Sequence, residues 1–335
     1  MKTLVIGGTF DKNTPKASKI ITSLSEYLKA ESINGGRELP IDISGNDLVI
    51  WAPNVDNGID KVYPKKDQGA VLVVSKVIGN NGRIRIDAVK RIFDFSGNAV
   101  IAIDKSKTPF EFSLIDALNN EWARSTSIEE IATQILTIFE WTKASKRVRS
   151  VRLEGSYLQA TDEKRAWLNL PLAINTKLSQ KVVTAFGQRY FGNISTRCMQ
   201  LFPSRRIESG LIYVSPRNSN KEILIPEDMV LAHLTDGLVG YYGDKKPSVD
   251  TAVQLNLYKQ FSDIRFMIHG HAFVKGAPYT NHYFPCGDLR EVQELVPLIE
   301  AGEHIINLKN HGFLMWSYYL EALEHFVNES EIEIL

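Results

Sequence analysis

Runs of consecutive apolar residues alternate with stretches of helical periodicity through the first 145 or so positions. Residues 3–6 (TLVI) form an apolar run closed by Gly7-Gly8-Thr9. Thr14 suits a helix N-cap and Pro15 the first helical position, after which Ile20, Ile21, Leu24 and Leu28 recur at helical spacing. DLVIWAP (47–53), AVLVVSKV (70–77) and NAVIAID (98–104) read as buried strands, and residues 85–95 and 127–142 as helices. Strands that are apolar throughout, interleaved with helices, predict a parallel sheet covered on both faces. The expected fold class is therefore α/β, beginning with a doubly wound parallel-sheet domain over residues 1–148.

From about residue 155 the texture changes. The strand-like runs shorten to LIYVSP (211–216), FMIHGHAF (266–273) and HIINL (304–308). Helices are expected at 178–188, 249–260, 288–301 and 318–328. Residues 155–335 read as a second, mixed α/β domain in which a mainly antiparallel sheet packs against helices. Between the two, KASKRVRSVRL (143–153) carries five basic residues. A solvated helix end and linker explains that run more simply than a phosphate or partner patch does.

The totals narrow the class. The chain has 335 residues, better suited to two domains than one. Its 39 basic and 39 acidic residues balance, which argues against nucleic acid or an acidic membrane surface as the main partner. Two cysteines, Cys198 and Cys286, make no disulfide framework. No apolar run approaches the ~20 residues needed to span a bilayer, and the first residues lack a secretory pattern. A cytoplasmic protein is expected.

Only seven histidines occur, and two of them form His269-Gly270-His271 directly after an apolar run. On a strand, residues i and i+2 point to one side, so both imidazoles can face one point. His311 follows HIINL and can supply a third nitrogen. Three protein ligands with an open position are the pattern of a catalytic zinc site. A lone histidine beside an apolar run is more often a hydrogen-bonded core residue. The second strand-end histidine and Asp250, in the first turn of an expected helix after Lys246-Pro247-Ser248, favour the metal reading. Without the histidines, Asp250 is simply an acid that favours the helix dipole.

These residues resemble, in order, motifs of the class II aldolase/adducin family. Gly192-Asn193-Ile194-Ser195 looks like its GNxS turn, Val214-Ser215-Pro216 like the next strand and hydroxyl loop, and Pro226–Val230 like a helical turn before the strand in LAHLTDG (231–237). Lys246-Pro247-Ser248 looks like its KPS motif, His269-Gly270-His271 like its first two zinc ligands, and Asn310-His311-Gly312 like the third. The resemblance implies a class II aldolase-like α/β/α domain with one divalent cation, Zn2+, on His269, His271 and His311. It implies aldol-type cleavage of a small phosphorylated or acidic sugar through an enediolate, with a carboxylate moving the proton. Epimerisation, dehydration or a non-catalytic adducin-like binding role share the same frame. The family also implies a homo-oligomer, commonly a tetramer.

Carried over, the substrate-binding candidates are Gly192, Asn193, Ser215 and Ser248, with Asp250 as the catalytic carboxylate. Three departures stand out. Asp250 replaces the usual glutamate, Val249 replaces a hydroxyl residue, and Pro216-Arg217-Asn218 replaces a PSG loop, so Arg217 is added as an anion donor. Between the second and third histidines, Tyr279, His282 and Tyr283 are candidate proton donors. Cys286 reads as a soft ligand or, more simply, a buried thiol. Arg197 reads as an anion contact or a salt-bridge partner. In the N-terminal half the GGTF turn (7–10), with Thr9, Lys16 and Ser18, and the IGNNG loop (78–82) lie where doubly wound domains bind ligands, though a tight turn needing glycine explains the first as well.

Overall fold

The structure, a computed structural model, describes residues 1–7, 19–34, 43, 45–52, 71–78, 84–95, 97–145, 148–154, 162–182, 185–186, 189–198 and 210–333. Most of the GGTF turn, Thr14 to Ser18, and all but the first residue of IGNNG lie outside them. The chain divides into two compact units, Met1–Ala144 and Ser145–Leu335.

In the first unit the order is β1 (Thr3–Gly7), α1 (Lys19–Leu28), β2 (Glu31–Asn34), β3 (Leu48–Ala52), β4 (Val71–Ile78), α2 (Ile84–Phe95), β5 (Ala99–Asp104), β6 (Glu111–Asp116), β7 (Glu121–Ser125) and α3 (Ile128–Lys143). They make one seven-stranded sheet in the order β2-β1-β3-β4-β5-β6-β7. The strands from β2 to β5 are parallel, while β6 and β7 are antiparallel. Alternation along the strands divides the core. Val5, Ile50, Val73 and Ile101 pack with Leu24 of α1 and Ile131 and Ile135 of α3. On the other face Trp51 meets Phe95 of α2 edge-on at 5.7 Å. Ser127 caps α3 by accepting from the Glu130 amide, with Glu129 and Glu130 in the first turn and Lys143 in the last.

The antiparallel β6–β7 edge was not expected from the sequence. Its turn is closed by Asp116, whose buried carboxylate accepts from the amides of Leu118 and Asn120, the Asn120 side chain and Trp122 Nε1. Burial nevertheless holds this carboxyl above the usual range.

The second unit runs β8 (Ser150–Arg152), α4 (Asp162–Lys181), β9 (Ala185–Phe186), β10 (Arg189–Tyr190), β11 (Asn193–Arg197), β12 (Ile212–Val214), β13 (Val230–Thr235), β14 (Leu238–Tyr242), α5 (Thr251–Gln260), β15 (Phe266–Gly270), β16 (Phe273–Val274), α6 (Arg290–Glu300), β17 (Ile305–Leu308), β18 (Gly312–Ser317), α7 (Leu320–Glu329) and β19 (Ile332–Glu333). An eight-stranded sheet has the order β17-β18-β15-β11-β12-β13-β14-β8, antiparallel except where β8 joins β14. Alternate residues of β15 serve two cores. Phe266 and Ile268 pack among residues of α4 and α7, and Met267 among residues of α5 and α6. The result is an α/β/α sandwich with β15 near its middle.

Two expectations are corrected. The helix expected at 178–188 ends at Lys181; β9 falls within the remainder and pairs antiparallel with β10 just beyond it. Leu168, Leu172, Leu178 and Val182 carry the helical period, and Pro171 inside α4 obscures it. The basic segment 143–153 is not only a linker: Ser150–Arg152 forms the sheet edge, and Arg152 pairs with Asp244 at 2.6 Å.

Asp116→Ala is expected to lower stability by about 2–3 kcal/mol, because it strands several buried donors. Urea denaturation followed by tryptophan fluorescence measures it; an unchanged midpoint contradicts the role given to Asp116.

Candidate metal centre

His269 lies on β15, on the face turned toward α5. Its Nδ1–H donates to the Phe313 carbonyl of the neighbouring strand β18 at 2.9 Å, which leaves Nε2 as the lone-pair nitrogen. His271 stands just beyond the strand end, stacked on Phe191 with ring centroids 4.9 Å apart. His311 sits in the turn between β17 and β18, where its Nδ1–H donates to Glu291 Oε1 at 3.1 Å. Ring centroids are 4.9 Å apart for His269 and His271, 4.8 Å for His269 and His311, and 5.6 Å for His271 and His311. One ligand atom from each lies within 4.8 Å of the others. The Nε2 atoms of His269 and His311 are buried without a hydrogen-bond partner.

Buried imidazole nitrogens left unpaired are costly unless something binds them. Each is held in its tautomer by a partner on the far side of the ring, as metal-ligating histidines usually are. The residues thus fit a divalent cation.

The backbone makes this convergence. Gly312 has φ +144°, and a Cβ there would stand 2.1 Å from the Gly270 carbonyl oxygen. Gly192 has φ +74°, and a Cβ there would stand 2.7 Å from the His269 carbonyl oxygen. Glycine at these two positions lets the β17–β18 turn and the start of β11 press against β15. β11 pairs with β15 so that Asn193 is opposite His269.

Asp250 stands at the N-cap position of α5 without a side-chain capping bond and is largely buried; its Oδ2 is 3.7 Å from His269 Nε2, and its Oδ1 has no hydrogen-bond partner. Asn193 donates to Ser248 Oγ at 3.1 Å and accepts from Gln254 Nε2. Ser215 Oγ accepts from the Ile194 amide at 3.2 Å. The structure therefore brings Gly192, Asn193 and Ser248 beside the histidines and buries Ser215 one strand away. Arg217 is exposed, with its backbone amide on the Lys246 carbonyl. A small pocket is lined by Phe191, Gly192, Asn193, Lys221, His269 and His271, among others. A larger cavity, lined by Trp167, Arg197, His233, Tyr258 and Tyr319 among others, contains none of these site residues.

Among the described residues Arg197 has no salt-bridge partner, and backbone carbonyls take its guanidinium. It is buried, and its guanidinium donates to the carbonyls of Ile264, Tyr258 and Phe261, tying the end of α5 to the entry of β15. Among the candidate proton donors, Tyr279 is half exposed and His282 is engaged by Glu294.

Three contributors were not found in the sequence. Glu291 follows the apolar spacing of Leu295 and Ile299 on α6, so a carboxylate sits in a buried stripe; that misplaced charge was the available signal. Gln254 is likewise a polar residue on the buried face of α5. Lys221 donates to the Ser219 carbonyl at 2.8 Å, and burial pushes its pKa down to about 8.

Burial drives the His269 pKa down to about 4, against a smaller upward pull from Asp250. Burial also holds His271 well below its ordinary value. At His311 burial pulls the same way, but Cys286 and Glu291 outweigh it and hold the pKa well up.

With this geometry in view, residues 183–277 match the family model described as "Class II Aldolase and Adducin N-terminal domain". A class II aldolase/adducin domain therefore lies in the second unit; the match does not extend to the N-terminal sheet. Among solved structures, an L-fuculose 1-phosphate aldolase is 20% identical, over 52% of this chain and 84% of that one, with a TM-score of 0.39. A sugar-phosphate aldolase from Thermotoga maritima is 14% identical, over 49% and 94%, with a TM-score of 0.35. The N-terminal class II aldolase domain of a conserved protein from Thermoplasma acidophilum is 15% identical, over 52% and 95%, with a TM-score of 0.33. At these values the pairings carry no argument about the reaction.

Gly312→Ala is expected to cost at least about 1–3 kcal/mol of strain and to weaken metal retention, read by thermal denaturation and metal analysis together. A fully stable, metal-loaded variant contradicts the close-approach argument. In metal-free protein, the unfolded chain protonates His269 near its ordinary 6.5 while the folded chain resists until about 4. The stability due to neutral His269 is therefore whole above the upper value and lost as pH falls toward the lower. Denaturation across that window is expected to show a shallower pH slope for His269→Asn than for the parent; equal slopes contradict it.

Proposed function

We propose that the second unit is a metal-dependent lyase that cleaves a carbon–carbon bond beside a carbonyl in a small phosphorylated or acidic sugar. The observation that carries this reading is the convergence of His269, His271 and His311, with Nδ1 of His269 and of His311 anchored, next to the carboxylate of Asp250. The family match over residues 183–277 supports the same reaction class.

Bound by the three imidazoles, a divalent cation such as Zn2+ would supply Lewis-acid stabilisation of charge developing on a substrate oxygen. The chain's own residues do the rest. Phe313 and Glu291 hold the Nδ1 side of His269 and His311, which leaves each Nε2 turned to the shared site. Asp250 is placed to take and return a proton, with Oδ1 unpaired. Asn193 and Ser248, braced by Gln254, form a polar wall, and the glycine-bounded turn at 192–193 offers a place for an anionic group. Arg217, exposed and bonded through its amide to the Lys246 carbonyl two residues before Ser248, would supply a cation for a phosphate or carboxylate.

Epimerisation and dehydration use the same proton-moving carboxylate, and a product assay on a panel of ketose phosphates and sugar acids separates them. Purified protein is expected to carry one divalent ion per chain, lost in His269→Ala. Asp250→Asn is expected to keep the ion and lose about 10²–10⁴-fold in turnover. Protein that never retains a divalent ion, or an Asp250→Asn variant with full turnover, overturns the proposal.

A further inference from the structure

A second cluster of donors shares His311 with the first. Asp250, Cys286 and His311 each offer one ligand atom, and these lie within 4.8 Å of one another. His311 Nδ1 is taken by Glu291, so the nitrogen left to both clusters is Nε2, which is buried and unpaired. Asp250 Oδ1 is unpaired as well, in a residue only 8% exposed. The thiol and the Asp250 carboxylate therefore meet His311, the ring that both clusters share.

The thiol is held there by a built turn. Asp288 N–H donates to the Pro285 carbonyl at 3.0 Å, and the buried Asp288 carboxylate anchors Arg290. Gly287, at φ +76°, would place a Cβ 2.6 Å from the Val249 carbonyl oxygen. Only glycine allows the 285–288 turn to lie on the Val249–Asp250 backbone, and that contact is what brings the preceding residue, Cys286, to the site. Cys286 forms no disulfide.

We propose that Cys286 Sγ is the fourth protein ligand of the cation held by His269, His271 and His311, an inference that rests on the metal reading above; a substrate oxygen would then enter as a fifth ligand, an expansion zinc accepts. A tetrahedral zinc ion sets its ligand atoms roughly 3.3–3.6 Å apart, as follows from Zn–N of about 2.0 Å and Zn–S of about 2.3 Å. Within each cluster no two ligand atoms are more than 4.8 Å apart, so each contracts by at most about 1.5 Å to reach that spacing. On loading, the S–H bond breaks, its proton passes to solvent and the sulfur bonds to the metal. Thiolate ligation favours zinc over magnesium or calcium and leaves Asp250 as a proton carrier rather than a ligand.

Cobalt(II) loading of the full chain under reducing conditions tests this. The parent is expected to show a near-ultraviolet sulfur-to-cobalt charge-transfer band beside the visible d–d bands. Cys286→Ser and Cys286→Ala are expected to lose the charge-transfer band and keep the visible ones, whereas Cys198→Ser keeps both. Zinc retention against a chelator is expected to weaken by about tenfold or more in both Cys286 variants. Zinc loading of the parent is expected to release one proton more than Cys286→Ser does. Visible bands without the charge-transfer band in the parent, or a band that survives in Cys286→Ser, overturns the ligand assignment and leaves the three-histidine site standing. Failure of the parent to bind cobalt or zinc at all overturns both.

Discussion

Where β18 leaves its hairpin, the Gly312 backbone lies against the Gly270 carbonyl so closely that even a methyl group has no room. That contact sets where His311 stands relative to His269 and His271. The same strand pairing places the Phe313 carbonyl at His269 Nδ1. One backbone approach thus fixes the position of one imidazole and the tautomer of another. A wider spacing between β15 and the β17–β18 turn would leave three buried imidazoles without a common target, and burial would then be pure cost.

Charge is arranged around this geometry with some tension. His269 and His271 are held neutral by burial, the state in which imidazole binds a cation. His311 is pulled the other way by Glu291 and Cys286. A buried carboxylate facing an imidazole Nδ1–H raises the basicity of the opposite nitrogen, which strengthens it as a ligand when a cation rather than a proton arrives. Glu291 therefore acts through His311. Its own burial is tolerable because that imidazole supplies a partner.

Much of this was legible in the chain. Apolar runs located β1, β3, β4 and β5, and a 3.6-residue period located α1, α2 and α3, because residues buried on two faces or one stripe leave those signatures. The β6–β7 hairpin escaped because EFSLID and EWARS mix charge with apolar residues, and its turn is secured by Asp116, a side chain whose role depends on contacts. Pro171 masked α4. At the site, the HxH pair and the glycine beside His311 were visible as local patterns. Glu291, Gln254 and the closeness of Cys286 to Asp250 were not, since each depends on which elements become neighbours. Arg197 shows the converse: a residue next to a motif whose chemistry is spent on carbonyls at the end of α5.

Sheet order explains why the site needs the whole second unit. Sequence order brings β11, β15, β17 and β18 in turn, but space orders them β17-β18-β15-β11. β15 sits between a strand that precedes it by about seventy residues and one that follows it by about forty. Asn193 reaches His269 from one side, and His311 arrives from the other. Residues 183–277 contain the two histidines of β15 and its end, Asn193 and Asp250, but neither His311 nor Glu291 nor Cys286. The segment that carries the family pattern can therefore present only part of the donor set. The third imidazole, its carboxylate partner and the thiol all come from residues 286–311, beyond that segment.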